Sequence, residues 1–108
     1  GRVVPATTPP EEGYNLPHHM VWGRKPRLVF EGSAVSPNGF SLNSTLDPGP
    51  NLLTDLLDVF LQFRARLHVV VADIKAAFHQ ISVAPEDRCW LKVVFGGQDF
   101  EFTVVPFG

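Results

Sequence analysis

An excess of basic charge, a second cysteine and a long apolar run are all missing from this sequence. Nine Lys and Arg stand against eleven Asp and Glu, a formal net charge of −2 at pH 7 with His neutral. No basic field covers the chain, so any grip on nucleic acid must come from a local patch. The one cysteine, Cys89, has no internal partner, which excludes a disulfide-stapled secreted scaffold. No apolar run reaches the ~18–20 residues of a membrane span, so no membrane partner is expected. The first residues, from Gly1, lack a signal-peptide pattern, and no internal repeat is visible. The chain opens without methionine, and Val105-Pro106-Phe107-Gly108 comes directly after a strand-like run, so the expectation is a piece of a longer protein. What is present is 108 residues with 44% apolar content. That suffices for one packed domain rather than a disordered segment.

The order of elements predicts an α+β fold. Residues 1–15 form an extended lead-in, with Pro5, Pro9 and Pro10 and no apolar period. Leu16–Val21 and Leu28–Phe30 flank Gly23-Arg24-Lys25-Pro26, which predicts a hairpin with a basic turn. The rest of the 16–50 region, from Gly32, is dense in Gly, Pro, Asn and Ser and reads as turns. Asn51 is placed as an N-cap, because Leu52, Leu53, Leu56, Leu57, Phe60 and Phe63 come after it at helical spacing. That helix is expected to end near Arg64–Arg66, at the negative end of its dipole, and its wide apolar stripe predicts packing against a sheet. His68–Ile74 reads as a continuous apolar strand, and Lys75–Gln80 as a turn or two of helix. Gly96-Gly97 then joins alternating runs at Arg88–Phe95 and Gln98–Val104, a strong hairpin signal within 81–108.

Asp73 stands at the end of the apolar run Val69-Val70-Val71-Ala72, where a carboxylate is costly unless paired, hydrogen-bonded or bound to a metal. Two readings stay open from the residues alone. Asp73 caps the short helical turn after it, or it is one ligand of a hard divalent ion, which wants carboxylate oxygens on a rigid element. The second reading needs a further carboxylate, and no other acidic residue sits in a comparable strand-end context.

The run Ala72–Arg88, ADIKAAFHQISVAPEDR, resembles the first catalytic block of retroelement reverse transcriptases. Further motifs keep the same order as in the Bel/Pao group of long-terminal-repeat retrotransposons: LPHHMV at Leu16–Val21, KPRLVFEGS at Lys25–Ser33, the spaced SLN, Leu46, GP and Leu-Leu positions from Ser41 to Leu57, FRAR at Phe63–Arg66, and VPFG at Val105–Gly108. The likeness runs from about Tyr14 to Gly108. It departs from the group at Glu31, where Asp is usual, at Gly32, often Ala, and in a short stretch between His19 and Lys25.

The resemblance implies the fingers and first part of the palm of an RNA-directed DNA polymerase within a Pol polyprotein. Its partners would be a primed RNA or DNA template and deoxynucleoside triphosphates, and its cofactor two Mg²⁺ ions. Asp73 matches the first metal-binding aspartate, with the Ile74 carbonyl as a further ligand. Phe78 matches the aromatic residue under the incoming sugar, with the small residue Ala77 before it. Arg27 matches the fingers arginine that holds the triphosphate, with Lys25 near it as a further nucleotide-binding residue, and Phe107 takes the place where many retroviral relatives have a glutamine lining the nucleotide pocket. Arg24 and Gln80 are outlying nucleic-acid contacts. The Tyr/Phe-x-Asp-Asp block that supplies the remaining carboxylates is not in this sequence, so this chain alone is expected to be inactive. A decayed or domesticated non-catalytic remnant, with at most a nucleic-acid-binding role, is the alternative. An intracellular place, cytoplasm or virus-like particle, is implied by the same likeness. An aspartic protease is set aside, since its Asp-Thr/Ser-Gly signature is absent.

The remaining residues carry plainer expectations. His18 and His19 point to opposite faces of a strand and are structural rather than a metal pair. Trp22 and Trp90 are expected in packing, Cys89 is expected to be inert, and Asp87-Arg88 is a turn with a local ion pair.

Overall fold

The structure, a computed structural model, describes residues 1–107. Its backbone forms a three-stranded antiparallel sheet, a separate two-stranded hairpin and two helices. The expected Gly-Gly hairpin is present as β4 (Lys92–Phe95) and β5 (Gln98–Phe102). Gly96 and Gly97 take φ of +57° and +76°, the positive pair that a tight right-twisted hairpin turn demands. Strand alternation sorts the side chains. Val93 opposes Phe100 and Lys92 opposes Glu101, so one face is apolar and the other ionic.

The apolar face makes the core. Leu16, Val93 and Phe102 are buried there, with Tyr14, Phe30, Leu42, Leu91 and Phe100 packed around them. The basic-turn hairpin is also present, as β2 (His18–Val21) and β3 (Arg27–Phe30). It joins the core through Phe30, whose ring meets Phe102 edge-on at 5.0 Å, and through His18, 4.5 Å from the Phe95 ring. His19 faces the other way and pairs with Glu31 at 3.1 Å. The two histidines therefore do separate structural jobs, as the alternation predicts. Between the hairpin and the long helix, α1 (Leu42–Thr45) is closed by a reciprocal Ser41/Ser44 capping box.

The ends of the chain meet, which the sequence did not disclose. Residues Val3–Pro5 form β1, an edge strand on β5 with Val3 opposite Phe102. The proline-bearing lead-in is thus partly strand, tolerated because Pro5 sits at its end. The pairing continues at Thr103, whose N–H donates to the Arg2 carbonyl.

Several expectations fail between residues 46 and 76. The helix α2 runs Leu56–Ala65 rather than from Asn51. Asp55 is its N-cap, accepting from the Leu57 N–H at 2.8 Å, while the Asn51 side chain closes a local turn on Leu53 N–H. Arg64 and Arg66 do mark its end, as expected. With nothing to bury Leu52 and Leu53, an extra turn gains no packing, and a short helix stands on packing more than on propensity. The stripe does not lie on a sheet: no residue of α2 is buried. Nor is His68–Ile74 a strand. No partner pairs with it among the described residues, and Val70 is 92% exposed. A lone strand has no ladder to satisfy its backbone and does not persist. This arm explains a radius of gyration of 18.1 Å, where a packed chain of this length has about 13 Å.

Trp22 and Trp90 also depart from expectation, being exposed rather than packed. Asp87 and Arg88 lie in a 3₁₀ helix, Pro85–Trp90, and Arg88 donates to the Val83 carbonyl instead of pairing with Asp87.

One glycine is fixed by geometry. Gly13 has φ +83°, and a Cβ there would lie 1.9 Å from the Cys89 carbonyl oxygen. Gly13→Ala is expected to destabilise by about 2 kcal/mol or more, since both the backbone region and the space forbid it. Chemical denaturation of the two forms checks this.

Candidate functional site

A cleft of about 530 Å³ is lined by Arg27, Leu28, Val29 and Phe107. Arg27 and Phe107 lie eighty positions apart, and the fold explains their meeting. Past β5 the chain keeps pairing: Val83 N–H donates to the Thr103 carbonyl and Val105 N–H to the Ile81 carbonyl, at 2.9 and 3.0 Å. This ladder sets the 3₁₀ turn Ala77–Gln80 beside Pro106-Phe107. Phe78 then meets the Phe107 ring edge-on, centroids 6.1 Å apart at 89°. The β2–β3 hairpin brings Arg27 into the same cleft as Phe107. Its exposed guanidinium has no hydrogen-bond or ion-pair partner among the described residues.

Phe107 and Phe78 also line a larger apolar groove of about 880 Å³, walled by Tyr14, Leu16, Phe30 and Leu42. His79 was not singled out from the sequence. Its ring lies 4.1 Å from the Phe107 ring, tilted by 41°, and its Nδ1 is buried without a hydrogen-bond partner among the described residues. The only available signal was its place between Phe78 and Gln80.

Other predicted residues stay apart from this cleft. Arg24 and Lys25 are exposed in the β2–β3 turn, and Ala77 opens the 3₁₀ turn without lining either cavity. Gln80 is engaged locally, its Nε2 donating to the Lys75 carbonyl at 3.0 Å. Asp73 and Ile74 are exposed.

The cap reading of Asp73 is overturned. The residue before the 3₁₀ turn is Ala76, in the left-handed region at φ +51°, and no side chain caps the turn. The Asp73 carboxylate makes no hydrogen bond or ion pair among the described residues, so it is free to ligate an ion. One carboxylate and the Ile74 carbonyl fall short of the six oxygens a hard divalent ion takes. No group of three or more His, Cys, Asp or Glu that could hold a metal occurs among the described residues. Asp73 thus fits as one ligand of a site, not as a site. No helix among the described residues is long and apolar enough to cross a membrane.

Comparisons with family models, curated proteins and solved structures return no match to this chain.

Proposed function

We propose that this chain is the fingers and first part of the palm of a reverse transcriptase of the Bel/Pao type, and that the Arg27–Phe107 cleft receives a deoxynucleoside triphosphate. The observation that carries the reading is that Arg27 and Phe107, which stand at separate motif positions along the chain, line one cleft, and that Phe78 meets the Phe107 ring. An unpaired guanidinium suits phosphate oxygens, which it grips with two parallel N–H donors. The Phe107 ring in the cleft suits a sugar or base, which stacks on such a face, and Phe78 supports that ring edge-on without lining the cleft. On this reading Mg²⁺ would be held by Asp73 and the Ile74 carbonyl, which do not line the Arg27–Phe107 cleft, together with carboxylates outside this sequence, and would supply charge neutralisation at a phosphate. The chain's own contribution is to bind and orient the nucleotide. Lys25 and Arg24, exposed one turn from Arg27, add positive charge along the path of a triphosphate or template phosphate. The irregular course of Asp73's segment is the observation that favours the remnant reading instead.

Titration of the chain with dTTP tests the proposal. Binding is expected, and Arg27→Ala is expected to weaken it roughly tenfold to a hundredfold, the worth of one charge-assisted pair. No binding by the unsubstituted chain, or equal affinity in Arg27→Ala, contradicts it.

A further inference from the structure

We propose that Lys92 is the bolt of a latch: its ammonium fastens the segment Ala6–Glu12 across the ionic face of the β4–β5 sheet and so holds the wall of the apolar groove in place. Lys92 is fully buried, 0% exposed. Its Nζ donates to the Pro9 carbonyl at 3.1 Å, the Pro10 carbonyl at 3.4 Å and the Glu12 carbonyl. An ammonium has three N–H donors, and three carbonyl oxygens take them. Asp99 Oδ2 lies at 3.8 Å, too long for a hydrogen bond but close enough to offset the charge.

A buried charge is tolerated only where it is paired and hydrogen-bonded, and this one meets both conditions. The reason for a lysine lies in the strap. Pro9 and Pro10 have no N–H and cannot join a ladder; the Pro9 carbonyl accepts from Glu12 N–H at 3.0 Å, and Lys92 Nζ adds a second donor to it and reaches the Pro10 carbonyl. Glu101, cross-strand from Lys92 and 2% exposed, holds the start of the strap by accepting from Thr7 N–H at 3.2 Å and Thr7 Oγ1 at 3.3 Å.

The same residue fixes the chain beyond the strap. Lys92 N–H donates to the Tyr14 carbonyl at 3.0 Å, and Leu16 N–H donates to the Lys92 carbonyl at 2.7 Å. Its side chain therefore holds residues 9–12 and its backbone residues 14–16, with the Gly13 turn between them pressed on the Cys89 carbonyl. Tyr14 and Leu16 form part of the groove wall. A strap that opens leaves this wall anchored by backbone bonds alone.

Amide hydrogen exchange on the full chain tests the latch. Thr7, Glu12 and Tyr14 amides are bonded to Glu101, Pro9 and Cys89 and are expected to be protected. In Lys92→Met all three are expected to exchange at least about tenfold faster, while the Phe102 amide, bonded to the Leu91 carbonyl, keeps its protection. In Lys92→Ala the vacated space is expected to accept n-propylammonium, which restores protection, whereas tetramethylammonium, with no N–H, does not. Unchanged exchange in Lys92→Met overturns the proposal, as does equal rescue by both cations. If Lys92→Met does not fold, Lys92→Ala decides: folding regained with n-propylammonium alone supports the latch, and no regain overturns it.

Discussion

Phe102→Ala is expected to remove cooperative folding altogether. Phe102 is one of three buried apolar residues among the described residues, beside Leu16 and Val93, and its ring receives Phe30 edge-on at 5.0 Å. Truncating a buried Phe costs about 3–5 kcal/mol, and a core this small supplies a similar total. Circular dichroism and a urea titration check the result, with loss of the sigmoidal transition expected. Leu52→Ser is the contrast. Leu52 is exposed on the arm, and a surface change of this kind shifts stability by less than about 0.5 kcal/mol. Similar losses in the two variants contradict the assignment of the core.

Asp73→Asn is expected to abolish primer extension on an RNA template, in the longer protein that the proposed function requires, and to leave folding intact. Asparagine keeps the volume and hydrogen-bonding capacity of the side chain but removes the anionic oxygen that a hard cation needs. Metal-ion catalysis is worth several kcal/mol, and about 4 kcal/mol is a thousandfold in rate, so a loss of at least about a thousandfold is expected. Folding is spared because Asp73 is exposed and supports no neighbour. Primer extension and a thermal melt measured side by side check both halves. A wild-type extension rate removes Asp73 from the chemistry, and a lost melting transition makes its role structural.

What could be read from the residues divides by range. Both hairpins were legible, because Gly96-Gly97 and the alternation of Val93 and Phe95 with Lys92 and Val94 are signals within a few positions. The aromatic and basic members of the cleft were legible as motif positions, though their meeting depends on the Val83–Thr103 and Val105–Ile81 pairings that no local pattern announces. The strap over Lys92 was illegible for the same reason: its bonds span eighty residues or more, and prolines hide a strand in Val3–Pro5. Asn51 misled because two cap residues, Asn51 and Asp55, precede one apolar run, and only packing chooses between them. The strand expected at His68–Ile74 is a property of the residues that needs a pairing partner to become structure. The apolar face of α2 and the segment at Val70–Val71 stay exposed for the same reason.

The codons after Gly108 in the parent reading frame test the central claim most directly. The polymerase reading predicts an apolar-Tyr/Phe-x-Asp-Asp block within a further palm-sized stretch, supplying the carboxylates that Asp73 lacks. A stop codon, or a block in which those aspartates are replaced, contradicts it and supports the non-catalytic remnant.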